Sequence, residues 1–237
     1  MPRWSEPLCP RVKGLNDTMD NFVTARIRAV AAAVGAPHDE SPNCKANVVI
    51  FFTFVPQKLV YDILRIDSRL LGFHYPSETK KYTVFNHAIQ GWYVTATRNS
   101  NGLEAIDDPQ GFGTYAEVDL GGGSLGSRLR TRISALIIYA TIIADIDKLK
   151  GMTIGSISDY LAVLTLTGAR LSDDCSQLPS IMDLMASGCA DDKRPNQITA
   201  GDLAYMRALY SVLPDTPVAL ERSSIEDQMF REFKRGR

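Results

Sequence analysis

Apolar residues recur at helical spacing across residues 17–35. Phe22, Ile27, Val30 and Val34 share one stripe there, Arg26 and Arg28 flank it, and Gly35 supplies a stop. Beyond a loop with Pro37 and Pro42, residues 47–54 (NVVIFFTF) are almost all β-branched or aromatic and predict a buried strand. Pro56 suits a first helical position and opens a second helix, with Leu59, Ile63, Leu64, Leu70 and Leu71 inward and an end at Gly72. Residues 73–88 read as a polar, aromatic loop. Residues 89–98 (IQGWYVTATR) alternate as a strand does, and Asn99 to Gly102 is a turn signal. Residues 103–127, rich in Gly and Asp, predict a long loop with room for a strand at 115–120. Residues 128–144 alternate and then become continuously apolar, which predicts a core strand.

The strongest helical pattern lies at 153–169. Ser156 and Asp159 form a start resembling a capping box, and Ile157, Leu161 and Leu164 face inward. A loop over 171–198 precedes a last helix, which starts at Thr199 and Asp202 and carries Leu203, Met206, Leu209, Tyr210 and Leu213. The chain after Pro214 is charged, ends in FKRGR, and is expected to be partly disordered. No repeat and no internal boundary is visible. The expected organisation is one α+β domain over 1–213, with a mixed sheet and packed helices, and a charged C-terminal tail over 214–237.

Composition narrows the classes. The apolar share is 45% and the charged share 22%, enough for a core without a metal. With 26 basic and 27 acidic residues the net charge is −1, so no overall field draws nucleic acid or an anionic membrane. The longest apolar run, 133–144, is too short for a bilayer-spanning helix, which needs about 20 apolar residues. The opening MPRWSEPLCP has no apolar core of the kind a signal peptide carries. There are four cysteines, Cys9, Cys44, Cys175 and Cys189, none in a CxxC. Proximity selects two local disulfides, Cys9–Cys44 and Cys175–Cys189, among turn residues such as Pro10, Pro42, Asp174 and Gly188. That reading implies an oxidising compartment, periplasmic or secreted. Four reduced thiols in a cytosolic core are the alternative.

The order of motifs in the last third is informative. A core strand precedes the helix IGSISDYLAVLTLTG, which is followed by LPSIMDLM and by ITAGDLAYMRALYSVL. Pro179, Ser180, Ile181 and Met182 resemble the Met-containing turn of zincin metallopeptidases. Thr199, Asp202, Leu209 and Tyr210 resemble the helix that closes their domain. This resemblance implies a zincin-like fold and a metal-binding helix over 153–169. Zincins need two histidines four residues apart with a glutamate after the first, because the histidines bind zinc and the glutamate activates water. Here the first ligand position falls on Asp159, the glutamate position on Tyr160 and the second ligand position on Val163. Valine cannot ligate a metal, and a phenol with an ordinary pKa of about 10 is a poor base. No histidine follows His87. The resemblance therefore implies a zincin scaffold without its catalytic groups. In general layout the chain also resembles uncharacterised secreted bacterial proteins.

Other candidates are weaker. His74 and His87, with Glu78, Asp159 or an aspartate from 107–119, compose an alternative hydrolase or metal site, although a thirteen-residue gap in a loop is no recognised ligand spacing. His38 stands apart. Gly121, Gly123 and Gly126 satisfy GxGxxG but precede a strand, so a flexible loop is the expectation. Ser124 and Ser127 lack a nucleophile elbow. Arg128, Arg130 and Arg132 share one face if extended, and suit a small anion or a solvated surface. Trp92 and Tyr93 read as core or rim aromatics, and Asn16 begins a formal glycosylation acceptor. No cofactor is implied. The leading expectation is a non-catalytic structural or interaction role with a protein partner that the sequence does not name. In the chain-entropy model, replacing either cysteine pair with alanine lowers unfolding stability by about 3–4 kcal/mol. Denaturant titration of the two double variants checks this, and an unchanged midpoint would mean that the pair is not bonded.

Overall fold

The computed structural model describes residues 1–72, 74–99, 104–107, 133–213, 216 and 218–235. They form six strands in one mixed sheet, and six α-helices pack on it as a single body. In chain order these are β1 (Arg3–Trp4), β2 (Pro10–Lys13), α1 (Asp17–Val34), β3 (Val48–Thr53), α2 (Pro56–Asp67), α3 (Pro76–Tyr82), β4 (Ile89–Asn99), β5 (Glu104–Ile106), β6 (Ile133–Asp145), α4 (Ile154–Thr167), α5 (Ala200–Ser211) and α6 (Val218–Arg235). The sheet order is β2-β3-β6-β4-β5. β6 is its axis: β1 runs parallel to its first half at Leu136 and Ile137, β3 runs parallel to its second half from Ala140 to Asp145, and β4 runs antiparallel along it. A register shift between Val94 and Thr95 bends β4 where β5 joins it.

The alternation of side chains on β6 makes two apolar layers. Ala140, Ile142 and Ala144 join Val48, Ile50, Phe52 and Ile89 in the larger core under α1, α4 and α5. Ile143 and Trp92 face the other way and meet Val60, Ile63 and Leu71 beneath α2. Strands covered on both faces read as near-continuous apolar runs, which is why β3 and β6 stand out in the sequence.

Several local expectations change. The buried stripe of α1 is Val23, Ile27, Val30, Ala31 and Val34, while Phe22 is 48% exposed. Positions 23, 27, 30, 31 and 34 keep the three-to-four-residue spacing of one helix face, and position 22 falls off it. α2 stops at Asp67, which is extended (φ −157°, ψ 100°), and its carboxylate accepts from Arg69 N at 3.1 Å to start a separate 3-10 turn over Ser68–Leu71. The expected loop at 73–88 contains α3, with Pro76 in its first turn. β1 and β2 are too short to leave a period. Leu213 is 66% exposed, since α5 ends before it. Within the tail expected to be partly disordered, Val218–Arg235 form α6, whose Ile225 packs with Ala208, Leu209 and Val212. Arg3 Nη1 stands 3.9 Å from Glu221 and donates to Leu209 O at 2.7 Å, tying β1 to both last helices. Residues 115–120 lie outside the described residues.

Among the described residues, α4 is the one helix with no exposed side. Every residue from Ser156 to Leu166 is buried. A fully enclosed helix cannot leave its last carbonyls to water. Side-chain donors from three elements satisfy them: Trp4 Nε1 bonds Thr165 O at 2.8 Å, Tyr93 Oη bonds Leu164 O at 2.9 Å, and Tyr210 Oη bonds Leu166 O at 2.7 Å. Gly168, left-handed at φ +57°, closes the helix with its N–H on Leu164 O at 3.0 Å. Trp4→Phe keeps most of the packing and strands the Thr165 carbonyl. The expected loss is about 1–3 kcal/mol in urea unfolding, and a loss within error of zero would show that the carbonyl has another donor.

Candidate functional site

Asp159, Tyr160 and Val163, the positions singled out on the expected metal-binding helix, lie on α4, and each is committed to the fold. Asp159 is buried, and both its carboxylate oxygens are in use: Oδ1 accepts from Arg26 Nε at 2.5 Å and Oδ2 from Ile198 N at 2.8 Å. Arg26 belongs to α1, so this ion pair pins α4 to α1 and to the segment entering α5. Tyr160 is buried, and desolvation pushes its phenol well above the ordinary tyrosine range, so it stays protonated. Val163 lines a cavity of about 320 Å³ together with Thr167, Leu178, Met182, Tyr205 and Met229.

The turn and closing-helix residues form one hydrogen-bonded unit. Asp202 Oδ1 accepts from Ser180 Oγ at 2.6 Å, and Oδ2 accepts from Ile181 N and Thr199 N, each at 2.9 Å. Asp183, one turn into the 3-10 segment Ile181–Met185, accepts from Ser176 N at 2.9 Å and Ser180 N at 3.2 Å. Each aspartate closes a capping box with the residue three before it, Thr199 for Asp202 and Ser180 for Asp183. Carboxylate bonds to backbone N–H are charge-assisted and short, so these two side chains fix a stretch with little regular structure. The Thr199–Asp202 pattern is legible in the sequence. Its reach to Ser180 and Ile181 is not.

The other candidates do not assemble. His74 stacks on Tyr82 with centroids 4.6 Å apart, and its Nε2 lies 2.9 Å from Leu71 O. His87 lines a groove that Tyr82 also lines, Asp159 lies against α1, and Glu78 sits in the first turn of α3. Among the described residues, no group of three potential metal ligands includes His74, His87 or Asp159. His38 bonds Ala36 O through Nδ1 at 3.0 Å. Trp92 is a core residue whose Nε1 bonds Tyr82 O at 2.7 Å, and Tyr93 caps α4. The side-chain oxygen of Asn16 caps α1. Arg128, Arg130, Arg132, Gly121, Gly123, Gly126, Ser124 and Ser127 lie outside the described residues. Cysteines are paired 9 to 44 and 175 to 189, with Cα separations of 6.0 and 4.9 Å. Among the described residues, one group of three metal-ligating types converges, Cys175, Asp183 and Cys189. Its sulfurs are joined in the disulfide and its carboxylate is held by Ser176 and Ser180, so the group has a structural occupation.

A groove of about 430 Å³ opens where α4 ends, between the residues leading into β4 and those leaving the helix. Lys81, His87 and Arg170 reach it, with Asn86 and Gln90 beside them, above a floor that includes Tyr93 and Leu164. Lys81 and Arg170 carry no signal in the sequence, where each is one more surface cation. No helix among the described residues is long and apolar enough to cross a membrane. No family model matches the chain, and no match to it appears among curated proteins.

Asp202→Ala removes four hydrogen bonds from one buried carboxylate. It is expected to cost about 3 kcal/mol or more and to open the segment 176–199 to proteolysis. Asp159→Ala, whose partner Arg26 is 40% exposed, is expected to cost less, about 2 kcal/mol. Limited proteolysis with chemical unfolding checks both, and equal effects of the two substitutions would contradict the assignment.

Proposed function

We propose that this chain is a disulfide-stapled, extracytoplasmic zincin-like domain that acts by binding and not by hydrolysis. One observation carries the reading: on the helix where a zincin would hold its metal and its base, Asp159 is tied up by Arg26 and a backbone N–H, Tyr160 is a buried neutral phenol, and Val163 faces an apolar cavity. A water-activating centre needs an open coordination position and a base that can take a proton. This helix face offers neither. The turn over 179–182 and the helix from Thr199 support the scaffold half of the reading, because their matched residues interlock through Asp202. The compartment half rests on the two disulfides, which persist in oxidising surroundings.

The test combines elemental mass spectrometry on chelator-free protein with a peptidase assay on casein and on a mixed peptide library. The expected result is metal well below one ion per chain and no hydrolysis above buffer. About one zinc per chain, with hydrolysis abolished by a chelator and restored by zinc, would overturn the proposal.

A further inference from the structure

The groove at the end of α4 is lined by Lys81, Arg170 and the imidazole of His87 and by no carboxylate, and Lys81 Nζ lies 5.3 Å from the centroid of the Tyr82 ring. Lys81 comes from the last turn of α3, His87 from the turn before β4, and Arg170 from just beyond the Gly168 cap. Among the described residues no carboxylate lines the groove or pairs with any of the three. Six surface cations, Lys58, Arg65, Arg69, Lys150, Arg194 and Arg222, each hold a carboxylate oxygen within 2.7–3.1 Å, whereas Lys81 and Arg170 line one groove whose lining contains no carboxylate. Two exposed cations from separate segments on the rim of one groove, with no acid in its lining, give it a local positive potential that favours an anion.

The surroundings are ordered for such a role. Gln90 clamps the turn that presents His87: its Oε1 accepts from Asn86 N at 3.1 Å, and its Nε2 donates to Val84 O at 3.1 Å. Lys148 Nζ adds a bond to His87 O at 3.3 Å. The Tyr93 ring is held from below by its bond to Leu164 O, and Leu171 stands beside it. Gly91 makes room for the Tyr93 phenol, because a Cβ there would lie 2.8 Å from Tyr93 Oη. Flexible donors over a fixed aromatic and aliphatic floor suit a ligand with one charged end and one apolar end.

We propose that this groove binds an oxyanion, carboxylate or phosphate, carried on an apolar or aromatic group. Arg170, Lys81 and His87 hold the charged end, and Tyr93 and Leu171 pack against the rest. The proposal goes beyond the non-catalytic reading and does not depend on it, since Asp159, Tyr160 and Val163 do not line the groove. The test is calorimetric titration of the full chain at constant ionic strength with phenyl phosphate and with N-acetylphenylalanine, using N-acetylphenylalanine amide as the uncharged control. Saturable binding of at least one anion and none of the amide is expected. Arg170→Gln and Lys81→Gln should each weaken it about tenfold, the scale of one charge-assisted hydrogen bond. Arg231→Gln, on the exposed side of α6, should leave it unchanged. Binding of one anion alone identifies the source as phosphate or carboxylate, and binding of both identifies the shared chemistry. In the unsubstituted protein, amide resonances of Gly91, Tyr93 and Gly168 should move on titration, which locates the site even if a variant folds poorly. Absence of saturable binding by either anion, equal binding of the amide, or anion binding that neither substitution weakens would overturn the proposal.

Discussion

The enclosure of α4 sets the terms for everything around it. A helix buried on all sides gains apolar contact along its whole circumference, but its terminal backbone groups must find partners inside the protein. At the N-terminal end the side chain of Thr153 caps Ser156 N, and Ser156 Oγ goes on to Asn196 O at 2.6 Å. At the C-terminal end the donors are Trp4, Tyr93 and Tyr210, from the first strand, the central sheet and the last third of the chain. Each brings a large apolar body and one polar atom, the combination a buried carbonyl requires. Residues far apart in sequence are thus tied to the same three consecutive carbonyls, and β1, only two residues long, has a position because Trp4 has one.

The segment after α4 has a different basis of order. It contains little regular structure between Thr167 and Ala200, and its short 3-10 turns cannot bury much surface. Carboxylates do the work that apolar faces do elsewhere. Asp183 and Asp202 gather backbone N–H groups, Asp159 reaches across from α4 to Ile198 N, and the Cys175–Cys189 bridge closes the loop that contains Asp183. Taking charged groups out of water costs free energy unless each oxygen is satisfied, and here each of the three carboxylates has both oxygens bonded. These aspartates are therefore needed to hold the chain in place.

Much of the architecture was legible in the sequence because burial on two faces leaves long apolar runs. β3, β6 and α4 announce themselves in this way, and the Thr199–Asp202 box marks the start of α5. What was not legible has physical causes. Strands of two to four residues such as β1 and β2 have no period. Asp67 ends α2 through a single side-chain bond to the next turn, a choice that apolar spacing does not register. Phe22 and Val23 differ by one position on a helix, and only the neighbours of α1 decide which is covered. The last helix, α6, is rich in charge, and its order comes from contacts with α5 and Arg3 that no local pattern encodes. The two cysteine pairs were readable because local loops with turn residues leave few alternatives. The groove was not readable, since Lys81, His87 and Arg170 meet only in three dimensions.

The geometry also separates stability from recognition. The face of α4 with Asp159 and Val163 turns toward α1 and the aspartate-held segment, where any change in polarity disturbs several bonds at once. The groove lies at the other end of the same helix, past the point where Tyr93 and Gly168 have satisfied its last carbonyls. Once those carbonyls are bonded they are weak competitors for cations, so Lys81 and Arg170 are not drawn to the helix terminus, where its dipole would otherwise favour them. The cap that makes the buried helix tolerable therefore leaves the charges beside it available to something else. The buried face of α4 with Asp159 and Val163 and the groove at the helix end therefore depend on different residues, and they meet at Tyr93, Leu164 and Gly168.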